Sequence, residues 1–396
     1  MSSLNLLAGL LCPPRARTMR CVRIAVSVMA LLSTRASAQG TLSGLGFGYP
    51  VGGTSIRTAG TAGAFAEFDV LSPVNPASLG GLQRTFITVQ TEPEFRTLQF
   101  GGTKERTTAE RVPLLMLAFP YAHGLGIALS ASTFLDRSYS TVTQGAVLVE
   151  GNTLTTVDKN DVRGSIGDLR AAIGWQANRY LRVGIAGHLF TGDNVVSRSR
   201  TFADSLAFGN VLDTSRVTYY GSAFSVGGEL QLVKGLAALA SFRAGGSLES
   251  RIRDTVRSRG SVPNRVGVAL RYDGIPGSTF AVGIEQQSWS KMTRLGSVLV
   301  QAHDGMNWHA GAEVAGPKMR GVPLQLRVGV AKNDLPFGVD GRTSSETRFS
   351  GGFGLPVAAE RATLDFSLQR ANRSLSGSGG AKESAWMLGV GMHIRP

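Results

Sequence analysis

From residue 83 onward, apolar and polar positions alternate with a period of two, the mark of strands whose two faces meet different surroundings. Leu181, Val183, Ile185 and Leu189 alternate with Arg182, Gly184, Ala186 and His188. Val266, Val268, Leu270 and Tyr272 stand opposite Arg265, Gly267, Ala269 and Arg271, and Leu324, Leu326, Val328 and Val330 alternate with Gln325, Arg327, Gly329 and Ala331. Leu364, Phe366 and Leu368 alternate with Thr363, Asp365, Ser367 and Gln369, and Trp386, Leu388, Val390, Met392 and Ile394 form the apolar face of the last such segment.

A soluble β-sandwich alternates in the same way, so the connections have to decide. Tight links at 122–124, 177–179, 234–235, 274–278, 316–321 and 358–361 alternate with longer polar stretches near 102–110, 138–165, 193–216, 251–261, 292–304, 334–344 and 374–383. Short turns at one end and long loops at the other are the arrangement of a transmembrane β-barrel. The strands expected between them are 84–101, 111–121, 124–137, 166–177, 180–192, 217–233, 235–250, 262–273, 277–291, 305–315, 321–333, 345–356, 361–373 and 384–394, about 14 in all. An even number returns the chain to the side from which it started, so both ends are expected in the periplasm and the long loops outside. Closure is demanded energetically, because an open edge in lipid leaves amide groups unsatisfied.

Residues 39–82 break the alternation. Rich in Gly, Thr, Ser and Ala, they end in Leu71-Ser72-Pro73-Val74-Asn75-Pro76-Ala77-Ser78-Leu79 and read as a compact hatch or plug ahead of a barrel spanning 83–396. Ahead of them, Arg20 and Arg23 precede the apolar run 24–32, and Ala36-Ser37-Ala38 offers small residues for cleavage, so residues 1–38 read as an export signal, with Met19 an alternative start. Both cysteines, Cys12 and Cys21, lie in that segment, which removes disulfide and thiolate chemistry from the mature chain. Its five arginines go too, lowering the formal charge from +14 to +9.

The remaining Lys and Arg occur singly rather than in runs, which argues against nucleic acid as a partner. Abundant glycine, 51 residues, suits strands that bend and a lumen with room inside. Candidate chemistry is sparse. The five histidines form no i, i+4 pair, so no metal site is expected, and Gly44-x-Gly46 and Gly389-x-Gly391 precede no helix, so no nucleotide cofactor is expected either. A barrel lipase would leave no local motif, since Ser and His on adjacent strands meet only in the fold. The inward charges Arg182, Arg265, Arg271, Arg327 and Asp365 read first as a salt-bridged, hydrated lumen and second as a device steering an anionic head group.

The segment Ser55-Ile56-Arg57-Thr58-Ala59-Gly60-Thr61-Ala62-Gly63-Ala64-Phe65-Ala66, then Asn75-Pro76-Ala77-Ser78-Leu79, then alternating strands resembles the FadL-like family of outer-membrane transport proteins, PorV-like members included. Gly167-Asp168-Leu169-Arg170-Ala171-Ala172-Ile173-Gly174, followed by Leu181-Arg182-Val183-Gly184-Ile185, looks like that family's recurrent strand pair. The resemblance implies an all-β fold, a 14-stranded transmembrane barrel with an amino-terminal hatch in which Asn75, Pro76 and Ala77 are the gating candidates. It also implies passive, non-enzymatic uptake of long-chain fatty acids or other hydrophobic compounds across the outer membrane of a Gram-negative-type bacterium, with no cofactor. The expected partners are outer-membrane lipid and lipopolysaccharide, a hydrophobic small molecule and the barrel assembly machinery, with the extracellular loops open to a protein partner. Two alternatives stand beside it: a PorV-like partner-binding barrel of a secretion system, and a closed structural barrel whose lumen is filled by Arg and acid pairs.

Overall fold

The computed structural model describes residues 47–100, 103–149, 152–202, 209–295, 302–319, 321–339, 342–357, 361–376 and 381–395. The expected signal and the first residues of the hatch lie outside them. Fourteen antiparallel strands close into one barrel. In chain order they are β1 (Phe86–Thr91 and Glu94–Phe100), β2 (Thr103–Ala109 and Leu114–Pro120), β3 (Leu125–Asp136 and Tyr139–Val149), β4 (Asn152–Gln176), β5 (Leu181–Phe202), β6 (Val211–Val233) and β7 (Leu236–Ile252). There follow β8 (Thr255–Ser261 and Arg265–Tyr272), β9 (Ser278–Gln287), β10 (Gly305–Met319), β11 (Val322–Val339), β12 (Arg342–Val357), β13 (Ala362–Leu375) and β14 (Lys382–Ile394). Closure comes from β14 on β1, with Ile394 opposite Ile87 and Trp386 opposite Phe95.

The alternation sorts as the period of two demands. Ile87, Leu117, Leu129, Leu169, Ile173, Ile185, Leu189, Val268, Val282, Val328 and Leu388 stand exposed on the outer wall, whereas Ala172, Ala186, Ala269, Asp168, Arg327 and Asp365 are buried on the inner one. Among the exposed aromatics, Tyr121, Trp175, Tyr180 and Tyr272 lie near the short turns, where a girdle meets the lipid–water boundary, and Phe95, Tyr220, Trp308 and Trp386 lie higher on the outer wall.

One expectation is corrected. The stretches 102–110, 138–165, 193–216 and 334–344, read as polar loops, are largely strand: Thr103–Ala109, Tyr139–Val149 paired with Asn152–Val162, the upper parts of β5 and β6, and the β11–β12 hairpin. Beyond the lipid belt both faces of a strand can meet water, so the contrast that reveals it in sequence fades while the hydrogen-bond ladder continues.

The amino-terminal segment precedes β1 and packs against the inner wall. Its helix Ile56–Ala59 is capped by Ser55, whose side chain accepts from the Thr58 N–H. Asp69, fully buried, gathers the segment by accepting from Thr58 Oγ1 at 3.0 Å, from Ser72 Oγ at 3.2 Å and from the Ser55 hydroxyl.

Candidate functional site

The inner wall offers the amino-terminal segment a track without side chains. Gly126, Gly174, Gly184 and Gly227 face one another in register across β3, β4, β5 and β6. A Cβ at Gly126 would fall 2.2 Å from Leu79 O, at Gly174 2.4 Å from Pro76 O, and at Gly184 2.4 Å from Pro76 C. The turn Pro76–Gly81 lies in this trough. Asn75 Oδ1 accepts from the Ala77 N–H at 2.9 Å, capping the turn, and its amide reaches Gly228 O and Ala240 O at 3.4 Å. Asn75, Pro76 and Ala77 are all buried there. A second glycine pair, Gly311 opposite Gly329, receives Thr61.

Charge holds the segment as well as shape. Arg57 meets Glu313 at 2.6 Å and Asp69 at 3.3 Å, and Glu67 takes Arg265 at 2.7 Å. Tyr49 donates to Glu346 at 2.7 Å while its ring lies 4.1 Å from the Arg373 guanidinium and 4.6 Å from that of Arg111. Burial pushes the Tyr49 phenol above its ordinary value, against the pull of Arg348 and Arg373, so it stays protonated and can donate.

Each inward charge read from the sequence has a partner. Arg182 and Arg271 share Glu229 at 3.1 Å, Arg265 also holds Glu285 at 2.6 Å, and Arg327 joins Glu313 and Asp365 at 2.6 Å each. Sequence reasoning missed the largest knot, in which Arg373 binds Glu94 and Glu346 at 2.7 Å and also Glu383, with Arg96 and Arg111 on Glu94. Glu346, Arg373 and Glu383 lie side by side on β12, β13 and β14, and Glu94, Arg96 and Arg111, near the other end of the barrel sequence, reach them only on closure.

Above the segment lies a chamber of about 170 Å³. The 3₁₀ helix Trp289–Leu295, in a stretch expected to be strand and loop, folds over it. Its Trp289 stacks on Phe134 at 5.5 Å, and Phe134 meets Phe190 edge-on at 4.8 Å. Met292, Leu295, Ile166, Leu248 and Val262 complete the apolar cluster. Arg243 lines the same chamber with its guanidinium 5.4 Å from the Phe134 ring centre and 5.9 Å from that of Phe190. Among the described residues no carboxylate lies in salt-bridge contact with Arg243 or with Arg170, and Arg170, buried, leaves Nε and Nη2 without a hydrogen-bond partner.

Asp168, His188 and Ser225 also face this chamber, on three neighbouring strands. His188 Nδ1 is 2.9 Å from Asp168 Oδ2, and Nε2 is 2.7 Å from Ser225 Oγ. Diagonal neighbours in a sheet lie within such reach. Ser225 sits inside the ladder between Ala186 and Arg243, so its surrounding backbone N–H groups serve the sheet rather than an oxyanion. The trio fixes the orientation of the His188 ring in the wall.

The family model that matches is described as BamG and covers residues 21–261. Among solved structures, a FadL homologue of Pseudomonas aeruginosa shares 11% identity over 88% of this chain and 99% of its own, with a TM-score of 0.65. The CymD monoaromatic hydrocarbon channel matches at 14% over 88% and 98%, TM-score 0.57, and the toluene transporter TbuX of Ralstonia pickettii at 13% over 89% and 98%, TM-score 0.51. No curated protein is similar in sequence.

Proposed function

Starting from a chain that belongs to the BamG family and folds as a FadL-type outer-membrane β-barrel, we propose that it is a passive barrel, not an enzyme, for uptake of long-chain fatty acids or related hydrophobic solutes. Its short turns and the end of β14 face the periplasm. The supporting observation is Arg243 at the edge of the aromatic chamber. Arg243 is half-buried, makes no salt bridge among the described residues and leaves its Nε without a hydrogen-bond partner there, so an anionic head group would satisfy it. Phe134, Phe190 and Trp289 would shelter the apolar tail. Solute would enter past the Trp289–Leu295 helix and leave toward the periplasm when Asn75, Pro76 and Ala77 shift along the glycine track.

Reconstituted liposomes test the reading. The protein should speed entry of oleate, Arg243→Ala should slow oleate more than toluene, and Asn75→Ala with Pro76→Ala should alter flux. If neither oleate nor toluene enters faster than through empty liposomes, uptake is wrong. Equal slowing of both solutes removes Arg243 as the head-group site.

A further inference from the structure

The strand β3 has two different edges over its upper half. Leu135 and Asp136 pair with Ile166 and Ser165 of β4 on one side, and on the other with Pro50 and Tyr49 of the amino-terminal segment rather than with β2. The ladder between β2 and β3 ends at Leu114 opposite Ser132, with a last bond from Thr133 N to Pro113 O at 3.3 Å. Above this, among the described residues, Thr103–Ala109 pairs only with β1 and Tyr139–Val149 only with β4. The barrel wall is therefore split from there to the rim.

The two lips of the split differ in chemistry. Thr103–Ala109 carries Lys104, Glu105 and Arg106, charges of the kind that guard an exposed edge. Tyr139–Val149 reads Tyr-Ser-Thr-Val-Thr-Gln-Gly-Ala-Val-Leu-Val, with no charge and no proline, and Val142 and Leu148 stand exposed. At about 3.4 Å per residue this lip is roughly 37 Å of β-prone backbone, with one side unpaired among the described residues. Isolated, such an edge is a template for another chain.

We propose that Tyr139–Val149 is a docking edge for an extended, uncharged segment of a different polypeptide, which adds to the barrel wall as a further β-strand. The edge continues an interface already in use, since Tyr49 and Pro50 pair by strand addition with Asp136 and Leu135, just below Tyr139 on the same strand. A second copy does not fit. Antiparallel pairing of this edge with itself needs a twofold axis across the strand, which would turn one barrel upside down in the membrane. Absence of charge on the lip selects an uncharged guest, because an ionised side chain directly opposite would find no counter-charge on it.

The phase of the ladder says which amides a guest would use. Arg137 N donates to Gly164 O, so Tyr139, Thr141, Thr143, Gly145 and Val147 turn their backbone groups toward β4. Ser140, Val142, Gln144, Ala146 and Leu148 turn theirs outward. Hydrogen exchange is then compared between native outer-membrane vesicles and the purified barrel in detergent. The outward amides of Val142, Gln144, Ala146 and Leu148 should exchange about tenfold more slowly or less in vesicles, while those of Thr143 and Gly145 stay unchanged. Ala146→Pro removes an outward donor and spares the bonds to β4, so it should release the protection. Gln144→Lys, which leaves the backbone alone, should do the same while heat-modifiable migration shows both barrels folded. Equal exchange in the two preparations overturns the proposal, as does protection that survives both substitutions. Protection already present in the purified barrel would mean that the chain's own segment fills the edge. A photo-crosslinker at Gln144 that yields an adduct of twice the chain's mass would mean a second copy. Either result overturns it too.

Discussion

A methyl group placed on Gly227 would stand 1.9 Å from Asn75 Oδ1, the atom that caps the Pro76–Gly81 turn. Wall and amino-terminal segment are fitted here closely enough that no side chain can come between them.

Gly227→Ala should therefore dislodge Asn75, and Gly184→Ala, whose Cβ would meet the Pro76 backbone, should do so more severely. Overpacking of this kind costs about 1–3 kcal/mol. Conductance across a planar bilayer should rise in both variants. Parental conductance in Gly184→Ala would show that the segment does not block the lumen there.

Removal of a single arginine should undo the closure of the barrel. Arg373 is buried against Glu94, Glu346 and Glu383, and Arg373→Met leaves these carboxylates without it, a loss of about 3–5 kcal/mol. The temperature at which the folded band disappears on a gel should fall steeply. A second change, Glu346→Gln, should recover part of it, and no recovery would mean that packing rather than charge was lost.

Ligand entry should be visible in one tryptophan. Trp289 is buried in the chamber, whereas Trp175, Trp308 and Trp386 stand on the outer wall. Oleate should change the intrinsic fluorescence of the parent protein and leave that of Trp289→Phe unmoved. A response that persists in Trp289→Phe would place the solute on the outside of the barrel.

The Asp168–His188–Ser225 trio invites a direct check. Purified protein should release no p-nitrophenol from p-nitrophenyl butyrate above the buffer rate, and Ser225→Ala should fold and behave as the parent does. Turnover that vanishes in Ser225→Ala would make the trio catalytic.

Much of the architecture was legible because lipid and lumen impose opposite demands on successive residues. Val266, Val268 and Leu270 face out and Arg265 and Arg271 face in for that reason, and the count of strands follows from where the alternation stops. The inward arginines could be recognised as inward, but not matched. Arg327 finds Glu313 on β10 and Asp365 on β13; chain order tells which strands are neighbours, but the alternation does not record the register that sets which residues stand opposite.

By itself, then, the sequence determined what is local and periodic: strands, their faces, the break before residue 83 and the absence of a motif for chemistry. Only the tertiary structure decided what depends on register and closure. The glycine track exists because Gly126, Gly174, Gly184 and Gly227 fall opposite one another, and a slip of one residue in any ladder would turn that glycine to the lipid. The lip at Tyr139–Val149, paired on one side only among the described residues, exists because β2 and β3 part above Ser132, where alternation no longer distinguishes strand from loop.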